Sequence, residues 1–266
     1  MRRRIISRLD VKMQHLIKGM RLEGWRKVGD PEEKALRYYD QGVDELIYMD
    51  VVASLYERNN LADIVERVAS QVFIPITVGG GISSLAAVKE LLAVGADKVA
   101  INTAATKNPE LITDIAGTYG AQATVLSIEA KSLPGGGWEA MTDNGRNHTG
   151  LDVVEWAIEG EARGAGEIFV TSVDQDGTGL GMDLALIDAV TNAVKLPVIA
   201  CGGVSKTAHV TDTFQKVDRL SAIAMARALH YDQVTLPDLR VACADAGIDV
   251  RDIDSERAAL VAEVAS

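Results

Sequence analysis

The chain carries two copies of one pattern. Arg8-Leu9-Asp10-Val11-Lys12 returns as Ser127-Ile128-Glu129-Ala130-Lys131, and Asp44-Glu45-Leu46 returns as Gly166-Glu167-Ile168. Val78-Gly79-Gly80-Gly81-Ile82-Ser83 returns as Ala200-Cys201-Gly202-Gly203-Val204-Ser205. Each pair is separated by roughly 120 residues, a period that gives either copy room for four strand–helix units. Short apolar, β-rich runs at 5–9, 45–49, 74–78, 98–101, 124–128, 168–171, 197–200 and 221–225 alternate with helical patterns. Such runs read as parallel strands buried on both faces. Alternating units of this kind either close into a barrel or open into a doubly wound sheet. The repeat selects closure by two half-barrels, roughly 1–122 and 123–250, followed by a C-terminal helical tail over 251–266. The expected fold is therefore α/β, a single (β/α)8 TIM barrel with a two-fold half-barrel repeat.

Helix punctuation agrees with that division. Asp30-Pro31-Glu32-Glu33 is a capped helix start with Pro at the first position and acids in the first turn. Ser83-Ser84 caps a segment running to Ala93, Asn108-Pro109-Glu110 opens another, and Ser205-Lys206-Thr207 a third. Gly42, Gly95 and Gly164 sit just past helix ends. Ser132-Leu133-Pro134-Gly135-Gly136-Gly137 reads as a hairpin turn after the fifth strand.

Composition narrows the partners. A formal net charge of -11 argues against a nucleic-acid or anionic-membrane partner, since either needs a basic face. The apolar run after the basic start stops at Ser7-Arg8, so no signal-peptide core follows, and no stretch approaches the ~20 apolar residues of a membrane helix. Two cysteines, Cys201 and Cys243, are too few for a disulfide framework, and a reducing, cytoplasmic location is expected. The four histidines show no metal-ligand spacing, so neither a metal nor a cofactor is expected.

In a barrel, chemistry gathers where strands end and the following loops begin. Asp10, Asp50, Asn102-Thr103, Glu129, Ser172, Asp174 and Asp176 fall there. Gly80 and Gly81 lie between a strand and a helix, where bare backbone N–H groups can approach an anion, and Gly202 and Gly203 repeat the device. A glycine cluster alone is a tight turn; two at equivalent positions point to a substrate with a phosphate at each end. Asn102-Thr103 would complete the first site and Asp176-Gly177-Thr178 the second. Asp10 and Glu129 end strands one and five, on opposite sides, as a general base and a general acid would. Along strand one, Arg4, Ile6, Arg8 and Asp10 share a face. If that face is interior, its charges need partners. Arg4, Glu45, Lys98 and Glu167 are expected to form one charged ring at the bottom of the barrel, where simple stabilisation of that face is the usual reading.

The motifs Leu9-Asp10-Val11-Lys12, Ile17-Lys18-Gly19, Gly29-Asp30-Pro31, Val78-Gly79-Gly80-Gly81-Ile82, Asp97-Lys98-Val99-Ala100-Ile101-Asn102-Thr103-Ala104-Ala105, Gly164-Ala165-Gly166-Glu167 and Thr171-Ser172-Val173-Asp174-Gln175-Asp176-Gly177-Thr178 occur in order from about 4 to 250. With them the chain resembles the cyclase subunit of imidazole glycerol phosphate synthase, of histidine biosynthesis. The resemblance implies a glutaminase subunit docked on the N-terminal face of the barrel, with Asp97 at the contact. It implies an ammonia gate at Arg4, Glu45, Lys98 and Glu167, and a flexible first loop carrying Lys18 over the substrate. It also implies Asp10 as one catalytic aspartate and substrate contacts at Asp50 and Ser172.

Three positions depart from the family pattern. Glu129 replaces a second aspartate, Arg8 replaces a small residue, and Arg227 replaces a serine at the second phosphate site. Arg8 and Glu129 are expected to pair across the barrel, holding Glu129 ionised. These departures fit a second reading, a paralogue that delivers ammonia from a glutaminase to a sugar amidotransferase in surface-polysaccharide synthesis. A third, a related sugar-phosphate isomerase barrel, leaves the charged ring unexplained.

Overall fold

The computed structural model describes residues 2–53 and 61–253. The expected tail helix after Asp254 lies outside the described residues.

Eight parallel strands close on themselves. They are β1 (Arg4–Lys12), β4 (Glu45–Asp50), β5 (Ile76–Gly79), β6 (Lys98–Ile101), β7 (Thr124–Ser132), β10 (Glu167–Ser172), β11 (Val198–Cys201) and β12 (Ala222–Met225). Each pairs with the next in this order and β12 returns to β1, so the barrel has no open edge. The third and seventh strands begin later than the apolar runs suggest. Pro75 and Pro197 have no N–H to give the ladder, so pairing starts at Ile76 and Val198.

Four further strands extend the sheet through antiparallel pairings. β2 (His15–Met20) and β3 (Glu23–Gly29) continue β1, and β8 (Trp138–Thr142) and β9 (Asn147–Asp152) continue β7. The first and fifth barrel strands thus each rise into a hairpin above the same rim. The second hairpin begins at the turn expected over 132–137; the first is not announced by any turn dipeptide. Its tip is Arg21-Leu22, both at left-handed φ of 54° and 59°, where Asn-Gly is the usual choice. The tip is held instead from outside. Arg21 N donates to Asp176 O at 2.7 Å, Leu22 N to Asp176 Oδ2 at 3.2 Å, and the Leu22 side chain is fully buried.

Helices pack outside the strands: α1 (Pro31–Asp40), α2 (Ala62–Ala69), α3 (Leu85–Ala93), α4 (Thr103–Lys107), α5 (Glu110–Tyr119), α6 (Val153–Ala162), α7 (Leu184–Ala193), α8 (Thr207–Lys216), α9 (Arg227–His230) and α10 (Leu236–Asp245). Asp30 Oδ1 accepts from the amides of Glu32 and Glu33, the expected cap of α1, worth about 1 kcal/mol. Ser84 caps α3 by accepting from Ala87 N. Ser205 does not cap α8; its hydroxyl donates to Gly179 O at 2.7 Å and ties two rim loops together.

Strand alternation sorts the core into two. Outward residues such as Ile5, Leu9, Leu46 and Val99 pack with the helices. Inward residues, among them Ile6, Ile47, Val125, Phe169 and Ile199, fill the barrel itself. Arg4, Arg8 and Asp10 share the face of Ile6, so charged layers lie below and above this apolar one.

Candidate functional site

The lower layer is a closed ring. Arg4 donates to both Glu45 and Glu167, and Lys98 Nζ reaches the other oxygen of each at 3.1 and 3.0 Å. The four side chains expected to meet here do so, with alternating charge and no member left over. The side chains of Arg4 and Lys98 are 24% and 18% exposed, so the ring is wetted on the N-terminal face. Asp97 is exposed beside it, with Oδ2 engaged by the amide of Ile76 at 2.8 Å.

At the opposite rim the two opposed carboxylates have different surroundings. Asp10 is fully buried and receives Arg8 Nε at 2.7 Å and Lys18 Nζ at 3.2 Å. Burial opposes its ionisation, but the charges of Arg8 and then Lys18 outweigh burial and hold it below the usual carboxylate range. Glu129 lies on β7 and accepts from Gly145 N at 2.8 Å. Burial pushes its carboxyl up to about 7, against the lowering effects of the Gly145 amide and the more distant Arg8 charge.

The expected Arg8–Glu129 pair is not formed. Arg8 Nε turns to Asp10 and its Nη1 donates to Thr171 Oγ1 at 3.0 Å, with Phe169 beneath the guanidinium at 5.6 Å. Residues two apart on a strand point the same way. A partner on Arg8's own strand therefore satisfies it without bridging the barrel, and Glu129 is not held ionised.

Lys18 is expected on a flexible loop. It sits instead on β2, buried, with Nζ 2.8 Å from Asp176 Oδ1 as well as against Asp10, and 6.0 Å from the Trp25 ring. Arg8, Asp10, Lys18 and Asp176 form one chain of alternating charge beneath the first hairpin.

Two glycine loops flank this centre. Gly80, Gly81, Asn102, Thr103, Glu129 and Asn144 line a cavity of about 280 Å³, which Asp50 also borders. Asp50 Oδ1 accepts from Val52 N at 3.1 Å, and Asn102 Nδ2 donates to Met141 O at 3.2 Å. On the other side Gly177, Gly202, Gly203 and Arg227 enclose only about 10 Å³. The first hairpin covers that half, packing Gly19 against Gly177. Ser172 Oγ donates to Asp183 Oδ2 at 3.4 Å, within hydrogen-bond reach but long. Asp174 accepts from Ser132 N and Oγ and joins two loops. Arg227 lies over the Tyr231 ring at 5.4 Å, and its buried Nε has no hydrogen-bond partner among the described residues.

Gly80, Gly81, Gly177, Gly202 and Gly203 all have a left-handed backbone. Gly80 (φ +94°) lies so close to Asp50 that a Cβ would overlap the Asp50 carbonyl. Gly80→Ala is expected to destabilise the protein by about 1–3 kcal/mol through strain and overpacking, measurable by urea unfolding.

Asp143, Asn144 and Gly145 escaped the sequence reading. They form the tip of the second hairpin at φ of 52°, 61° and 74°, and Asn144 Nδ2 donates to Val51 O at 2.8 Å across the cavity. The signal was present: Asn-Gly is the strongest short hairpin dipeptide. Among the described residues no cluster of His, Cys, Asp and Glu could hold a metal ion, and no helix is long and apolar enough to cross a membrane.

Residues 4–235 match the family described as histidine biosynthesis protein. Over 203 residues the chain is 63% identical to imidazole glycerol phosphate synthase subunit HisF of Legionella pneumophila, covering 76% of this chain and 96% of that relative.

Proposed function

The chain belongs to the histidine biosynthesis protein family, and from that membership we propose that it is the cyclase subunit of imidazole glycerol phosphate synthase. Its likeness to a subunit of that enzyme, along nearly the whole of the relative, carries the reading. None of the comparisons specifically supports the ammonia-delivering paralogue. The substrate is a phosphoribulosyl-formimino aminoimidazole carboxamide ribonucleotide. With ammonia it gives imidazole glycerol phosphate and aminoimidazole carboxamide ribonucleotide.

The rim geometry supports specific roles. One phosphate docks at Gly80, Gly81, Asn102 and Thr103, which line the cavity of about 280 Å³. The other docks at Gly177, Gly202 and Gly203 with Arg227, whose guanidinium has donor capacity to spare. Lys18, Asp50, Ser172 and Asp176 border the substrate between them. Opening of the first hairpin, with release of Lys18 from Asp176, admits the second phosphate. Asp10, the anion, serves as base, and Glu129, whose carboxyl burial pushes up to about 7, serves as acid.

Ammonia enters from below. A glutaminase subunit docks on the N-terminal face at Asp97, and the Arg4–Glu45–Lys98–Glu167 ring is the gate between the two. The ring's alternating pairs can open at one cation while the rest remain bonded. Lys98→Met is expected to lower glutamine-driven turnover on the order of tenfold, about 1.4 kcal/mol. Turnover on ammonium salt, which reaches the rim from solvent, stays within about twofold of the parent. Equal losses on both nitrogen sources would remove the gate.

A further inference from the structure

We propose that Arg8 is a positioning residue that divides the two opposed carboxylates into an anion and an acid. The inference rests on the cyclase reading. Its starting observation is a break in the internal repeat. Asp10 and Glu129 occupy equivalent places on β1 and β7, and the residue two before each points the same way. Before Asp10 that residue is Arg8; before Glu129 it is Ser127. One carboxylate thus stands over a guanidinium and the other over a hydroxyl.

The groups facing each carboxylate follow from this. Asp10 is met by Arg8 from its own strand at 2.7 Å and by Lys18 from β2 at 3.2 Å. Asp176, Cys201 and His230 are the other titratable groups around this cluster. Asp176 is bonded to Lys18, while His230 is kept neutral by burial and bonds Tyr38 Oη at 2.8 Å. Glu129 meets the Gly145 amide, with Asp143, Asp10 and the Arg8 charge further off. Among the described residues no cation is ion-paired with it. Arg8 itself is 2% exposed and held at three points: Nε on Asp10, Nη1 on Thr171, and its face on Phe169.

A purely structural filler does not need this charge. A buried guanidinium costs more to place than an apolar side chain of similar size, and ion pairs of this kind are often replaced without loss of stability. What the charge supplies is a fixed asymmetry. When substrate draws Lys18 away, Asp10 still has a cation at its side and stays ionised. Glu129, left without one, keeps the proton.

The test is a 13C-NMR titration of side-chain carboxyls in the protein without substrate, assigned with Asp10→Asn and Glu129→Gln. The parent is expected to keep Asp10 ionised to well below the range of ordinary carboxylates. Arg8→Met is expected to weaken the acidity of Asp10 about tenfold or more and that of Glu129 much less; Arg8→Lys restores it in large part. An Asp10 titration unmoved by Arg8→Met, or equal movement of both carboxyls, overturns the proposal. Should Arg8→Met fail to fold, the parent still decides, because Asp10 protonating within the ordinary range overturns the proposal alone. The readout needs no turnover, so it fails or succeeds separately from the cyclase reading. If both hold, Arg8→Met lowers kcat with KM nearly unchanged, and Arg8→Lys recovers it.

Discussion

Glu129→Gln is expected to lower ammonium-driven turnover by about 10²–10⁴-fold, the usual contribution of a positioned general acid. Glutamine matches glutamate in size and can still accept from Gly145 N, so substrate binding survives and the loss falls on kcat. The proton is the thing removed. Because burial pushes the Glu129 carboxyl up to about 7, kcat/KM of the parent is expected to fall as pH rises through that value, and Glu129→Gln abolishes this limb. Stability moves the other way. The folded protein holds the Glu129 proton up to about 7, whereas the unfolded chain releases it near 4.5. Native protein therefore binds more protons across this window, and stability falls as pH rises through it. At pH 8 Glu129→Gln is expected to stabilise by about 2–3 kcal/mol. Chemical denaturation at pH 4 and pH 8 separates the two terms: the gain appears only at the higher pH.

Asp10→Asn carries the opposite signature. It removes the counter-charge of Arg8 and one of the two partners of Lys18, both nearly devoid of solvent contact. Lys18 keeps Asp176, but Arg8 is left with Thr171, a neutral hydroxyl. Orphaning one side of a buried pair typically costs about 3–5 kcal/mol, and losing the base costs turnover by about 10²–10⁴-fold. Asp10→Asn is thus expected to destabilise and inactivate, where Glu129→Gln stabilises and inactivates. Because the native carboxyl is held low, the Asp10 contribution is complete above its ordinary value of 3.8 and is lost as pH falls through its depressed one. Denaturation midpoints of the two variants at neutral pH, moving in the same direction, would show that the two carboxylates do not differ as described.

Much of this is legible in the sequence. Period-two alternation put Arg4, Arg8 and Asp10 on one face, and matching levels on other strands assembled the ring with Glu45, Lys98 and Glu167. That argument works because side-chain direction in a strand is fixed by the backbone. It fails for reach. A long side chain chooses among partners by distance, and Arg8 takes Asp10 beside it rather than Glu129 opposite. The first hairpin was illegible for another reason. Its left-handed tip at Arg21-Leu22 is stabilised by Asp176, far along the chain, so no local residue type marks it. Lys18 is accordingly expected on a loop and lies on the β2 strand of that hairpin. The Gly145 donor to Glu129 was marked, by Asn144-Gly145, but its significance depends on a hairpin folding back over the rim.

An ammonia-dependent cyclisation at the rim needs no partner. The purified chain, incubated with ammonium salt and the ribulosyl-formimino ribonucleotide, is expected to yield imidazole glycerol phosphate and aminoimidazole carboxamide ribonucleotide in equal amounts, formed in proportion to free ammonia. Recovery of unchanged ribonucleotide from folded protein that binds it would mean that the rim does not catalyse this reaction.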